Sequence, residues 1–94
     1  MDTLDTDQIH RALETLHGWK EAGGRIEKSF TLPTFHRAIG FVVEIGMLAE
    51  VADHHPDLDI RYNNVAVALS THSAGGVTEL DITLAERIEK AAGA

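Results

Sequence analysis

The chain has 94 residues, a formal charge of −7 and no cysteine, which excludes disulfides, thiolate metal sites and a thiol nucleophile. Acidic balance with scattered basic residues argues against phosphate-backbone binding, so no direct nucleic-acid contact is expected. No apolar run reaches the roughly twenty residues that cross a bilayer and the acidic start Met1 to Asp5 is unlike a signal peptide, so no membrane contact, a cytoplasmic location and a single unit over residues 1–94 are expected.

Leu4 to His17 sets Ile9, Ala12, Leu13 and Leu16 at helical spacing, with Thr3, Asp5 or Thr6 as N-cap and Gly18 as the stop, which predicts a first helix. Trp19 to Ala22 and Arg25 to Leu32 flank Gly23-Gly24 as a hairpin, with Ile26, Phe30 and Leu32 on one face by period two. Lys28 falls on that face, and its stem is expected along the sheet edge with the amine in water.

Thr34 is the expected N-cap of a second helix that runs from Phe35 to the Asp53-His54 end, where Pro56 closes it. Its interior holds only Glu44 and Glu50 as charges between Arg37 and Asp53. A helix so apolar around its circumference needs two covers, its own sheet and a partner subunit, and a short chain has little material for a second cover of its own.

Leu58, Ile60 and Tyr62, then Val65, Val67 and Leu69, alternate about an expected Asn63-Asn64 turn. Ser70-Thr71-His72 ends the last strand. Thr78 with Asp81 three residues on reads as a capping box opening a third helix whose buried stripe holds Leu84, Ala85 and Ile88. The order α-β-β-α-β-β-α predicts an α+β fold, a four-stranded antiparallel sheet with three helices packed on one face.

The chemistry concentrates in Glu50-Val51-Ala52-Asp53-His54-His55-Pro56, with Tyr62, His72 and Asp81 as expected partners downstream. Histidine exchanges a proton near neutrality, and two side by side allow an acid and a base at one centre. Glu50 and His54 stand four apart on one helix, so Glu50 is expected to fix the His54 ring, the alternative being an ordinary surface pair. His55 should point elsewhere. Asp81 falls on the buried stripe of the third helix, where a carboxylate needs a partner; helix capping would satisfy it, and so would a histidine, with His72 the nearest in sequence. Adjacent imidazoles diverge and no His-x3-His or His-Glu-x2-His spacing occurs, so no metal is expected. No phosphate loop or Gly-x-Ser-x-Gly nucleophile is present. His10, His17 and His36 lie on surface turns and are read as inert.

The pattern Glu50-x3-His54-His55-Pro56-x5-Tyr62-x9-His72-x8-Asp81, with Leu16-His17-Gly18-Trp19, Phe35-x2-Ala38-x2-Phe41, Leu69-Ser70-Thr71-His72 and Thr78-x2-Asp81, resembles the pterin-4a-carbinolamine dehydratases. Leu58 stands where some members carry tryptophan, and Pro33-Thr34 replaces an acidic helix start. The resemblance implies the same four-stranded, three-helix fold and a dehydratase turning 4a-hydroxytetrahydropterin into quinonoid dihydropterin in tetrahydrobiopterin recycling. It also implies no cofactor, a small-molecule pterin as substrate, and association as a homodimer or homotetramer, here through the 34–53 helix. It sets His54, His55 and His72 at the reacting edge, His55 foremost, with Glu50, Asp53, Asp81, Ser70 and Thr71 binding or orienting. An interaction module that stabilises a transcription-factor dimer is the alternative function the resemblance carries.

Overall fold

Asp5 opens the first helix, α1 (Thr6–Leu13), through a reciprocal capping box: its side chain accepts the Gln8 N–H while the Gln8 side chain accepts the Asp5 N–H. The computed structural model describes residues 1–93. After α1 come β1 (Lys20–Ala22), β2 (Arg25–Thr31), α2 (Phe35–Ala52), β3 (Asp57–Arg61), β4 (Asn64–Leu69) and α3 (Glu79–Gly93). The strands form one antiparallel sheet in the order β1-β2-β4-β3, with Ile26 opposite Leu69 and Leu58 opposite Val67.

Period two sorts each strand into two faces. Ile26, Phe30, Val65, Val67 and Leu69 are buried with Ala38, Phe41 and Ile45 of α2 and Ile82, Leu84, Ala85 and Ile88 of α3. Arg25, Ser29, Asp57 and Asp59 are exposed on the opposite face, where Ala66 and Ala68 form the floor of an open cleft of about 600 Å³. All three helices thus cover one face, as the order of elements predicts.

Three details differ from the sequence reading. The first helix ends at Leu13 and continues as turns in which Leu16 N–H bonds Leu13 O and Trp19 N–H bonds Leu16 O; this tighter winding turns both Leu16 and Trp19 into the core. Gly18 follows with φ +88°, where an added Cβ would stand 3.0 Å from Lys28 Cε. The Lys28 amine is paired and not left to water alone, its side chain being 19 % exposed. Lying on the helix-facing side of β2, it ion-pairs with Glu89 of α3, donates to His17 O at 2.8 Å and lies 4.7 Å from the centre of the Phe30 ring, while the Trp19 indole N–H donates to the same Glu89 carboxylate at 2.9 Å. A cation on the apolar face requires such a partner.

The second hairpin turns at Tyr62-Asn63, one residue earlier than Asn63-Asn64, and Arg61 pairs with Asn64. Asn63 decides this: its Nδ2 donates to Leu32 O at 2.8 Å and its carbonyl accepts the Leu32 N–H at 2.8 Å, tying the turn to the end of β2. Tyr62 takes the left-handed conformation, φ +53°, in consequence.

Candidate active site

The site is built at the C-terminal end of α2. Asp53 caps that helix in the left-handed region, φ 49° and ψ 43°, with its N–H on Ala49 O and Glu50 O. This reverses the chain within one residue, so the two imidazoles leave in opposite directions. His54 turns inward, 9 % exposed, and His55 folds back over the last turn of the helix.

Inside, His54 Nε2 lies 2.5 Å from Asp81 Oδ1. Asp81 is wholly buried. Its other oxygen, Oδ2, accepts the Thr71 hydroxyl at 2.8 Å and the Thr78 backbone N–H at 2.9 Å, and the Thr71 and Thr78 hydroxyls lie 2.8 Å apart. Both sequence expectations for Asp81 hold together: it completes the cap of α3 and it holds a histidine. The histidine is His54, however, and not His72. Outside, Glu50 Oε1 accepts from His55 Nε2 at 2.9 Å, so the expected Glu50–His54 pair is replaced by Glu50–His55. The helix stops before His54, and the left-handed residue removes the i, i+4 geometry on which that expectation rested.

His72 follows Thr71 directly and opens the 3₁₀ turn His72–Ala74, exposed to solvent. Thr71 pairs with Gly76 across this loop, its N–H on Gly76 O at 2.9 Å, which fixes the loop beside the buried network. Since Thr71 bonds the carboxylate that bonds His54, the His72 backbone starts one residue from the network. The remaining expected residues stand apart. Ser70 Oγ donates to Gly24 O at 3.1 Å, Asp53 acts through its backbone, and Tyr62 is 71 % exposed at the far end of β3, five residues or on the order of 16 Å along the strand. Thr78, read from the sequence as a cap alone, belongs to the network; the signal was available in a capping threonine placed next to a carboxylate that falls on a buried stripe.

Among the described residues no group of three His, Cys, Asp or Glu is arranged to hold a metal ion, and no helix is long and apolar enough to cross a membrane. The open-face cleft and two others beside α2 do not include His54, His55 or His72. The site thus lies at the helix end, backed by a buried carboxylate.

The family model for pterin 4 alpha carbinolamine dehydratase matches residues 2–91. The chain belongs to this family. It is 47% identical over 87 residues to a Roseiflexus relative carrying the provisional name pterin-4-alpha-carbinolamine dehydratase, covering 93% of this chain and 94% of that one. It is 44% identical over 94 residues to a Mycobacterium tuberculosis protein with the same provisional name, each covered completely. Among solved structures, a transcriptional coactivator/pterin dehydratase from Brucella melitensis superposes with a TM-score of 0.94 at 39% identity, covering 98% of this chain and all of that one. A pterin dehydratase-like protein identified as a RuBisCO assembly factor in the alpha-carboxysome shares the fold, with a TM-score of 0.72 at 22% identity over 83% of this chain and 93% of that one.

Proposed function

We propose that this protein dehydrates a 4a-hydroxytetrahydropterin to the quinonoid dihydropterin and water. The observation that carries the reading is the pair of adjacent imidazoles at the end of α2, each bonded through one ring nitrogen to its own carboxylate, Asp81 inside and Glu50 outside. The reaction needs one proton taken and one given. A base removes the N5 proton, the electron pair forms the C4a=N5 bond, and the 4a-hydroxyl leaves as water on accepting a proton from an acid. Neither oxidant nor reductant is required. His54, His55 and His72 supply the exchanging groups, with Asp81 and Glu50 as orienting partners, and a small-molecule pterin is the substrate.

The test is direct: 4a-hydroxytetrahydropterin is supplied and the disappearance of the hydroxylated species is followed, with and without chelator. Accelerated loss that chelator leaves unchanged is expected. A rate equal to the uncatalysed one would refute the reading.

A second feature bears on assembly. Phe35, Ile39, Val43, Met47 and Val51 are all exposed on α2, Met47 at 66 % and Val51 at 81 %, and they follow one another at intervals of four, forming a single i±4n ridge. Ridges of this kind interdigitate with their like at a crossing angle of about −50°. Self-association of the chain through α2, as a homodimer or homotetramer, covers this ridge. The same face supports the alternative reading, an interaction module for a partner protein. Charged substitutions on the ridge that abolish partner binding and spare turnover would separate the two roles.

A further inference from the structure

The hydrogen atoms of the buried network can be assigned by counting. An ionised carboxylate accepts and never donates, and a threonine hydroxyl has one hydrogen. Thr71 Oγ1 lies 2.8 Å from Asp81 Oδ2 and 2.8 Å from Thr78 Oγ1. Its hydrogen must go to the carboxylate, so the contact between the two hydroxyls is donated by Thr78. Thr78 Oγ1 in turn accepts the Leu80 N–H at 3.2 Å. Each bond therefore points the same way, from the first turn of α3 through Thr78 and Thr71 to Asp81, and bonds aligned in a chain polarise one another. Among the described residues no buried side-chain polar atom is left without a partner.

With Oδ2 occupied by two donors, Oδ1 faces His54 Nε2 at 2.5 Å and can only accept from it. We infer that this one-way hydroxyl chain fixes a proton on His54 Nε2 and leaves Nδ1 as the nitrogen that exchanges protons with a ligand, with Thr78 as a positioning residue acting through Thr71 and Asp81. His55 is presented in the same sense, its Nε2 held by Glu50, so adjacent imidazoles meet the ligand through like nitrogens. The catalytic consequence rests on the dehydratase reading; the proton assignment does not.

Long-range proton–nitrogen NMR of the ¹⁵N-histidine-labelled full chain at neutral pH tests the assignment. A protonated Nε2 on His54, with a downfield proton, is expected; a bare Nε2 overturns it. Asp81→Asn gives the sharper result. The Thr78 backbone N–H cannot reverse and the Thr71 hydroxyl already donates, so the amide oxygen stays on their side and the amide nitrogen faces His54. Nε2 must then accept, and the proton moves to Nδ1. Turnover should fall about 10²–10⁴-fold with KM little changed. A folded Asp81→Asn protein whose His54 Nε2 stays protonated overturns the inference. Thr78→Val should shift the downfield proton and Thr78→Ser should restore it; a proton unmoved by Thr78→Val removes Thr78 from the chain. If these signatures hold while the wild-type protein leaves the carbinolamine untouched, the proton assignment stands and the dehydratase reading falls.

Discussion

Removing the Asp81 side chain tests how much of the fold depends on the site. In Asp81→Ala, three donors lose their acceptor: His54 Nε2–H, the Thr71 hydroxyl and the Thr78 backbone N–H. The imidazole can shift its proton to Nδ1, and the Thr71 hydroxyl can turn toward Thr78 Oγ1. The backbone N–H has no such escape, and an orphaned buried donor costs about 1–3 kcal/mol. That N–H is the bond by which Asp81 caps α3, so the cap adds no separate cost. The penalty meets the lower end of the roughly 3–5 kcal/mol seen when one partner of a buried pair is removed, a large part of the 5–15 kcal/mol or so that holds a typical domain together. Asp81→Asn keeps an acceptor for Thr71 and Thr78 and gives His54 a donor, so it should cost only about 1 kcal/mol. Urea unfolding, followed through the fluorescence of buried Trp19 at one protein concentration, reads both. A slope of about 1–3 kcal/mol per molar urea turns the alanine penalty into a midpoint lowered by roughly 2 M. An Asp81→Ala midpoint close to wild type, or an Asp81→Asn midpoint as low as that of alanine, would refute the reasoning.

His55→Ala should slow pterin dehydration by about 10²–10⁴-fold while leaving the urea midpoint unchanged, because the His55 side chain is exposed; full turnover in this variant would remove His55 from the mechanism. Met47→Glu places a charge on the exposed ridge of α2 and should shift the sedimentation coefficient toward that of the monomer without altering helical circular dichroism; an unchanged coefficient would show that α2 is not the association face. Tyr62→Gly should raise stability by about 0.5–1 kcal/mol, since glycine enters the left-handed region without the penalty borne by tyrosine. Thermal unfolding checks this, and a lower midpoint would show that the Tyr62 ring contributes contacts outweighing its strained backbone.

The order of elements and most of their caps were legible in the sequence because they are local. Asp5 and Thr34 cap their helices where a short polar side chain precedes an apolar periodicity, and Val65, Val67 and Leu69 reveal their buried face by alternation alone. The place of Asp81 was legible for the same reason, since helical spacing set a carboxylate among Leu84, Ala85 and Ile88. Which partners the charged residues would find was decided only by the tertiary structure. A single left-handed residue, Asp53, exchanges the positions of the two histidines, sending His54 to Asp81 across the core and His55 to Glu50. Lys28 meets Glu89 only once α3 lies over β2. Periodicity fixes the face on which a side chain stands, but a partner 27 or 61 residues away is chosen by the path of the chain between them.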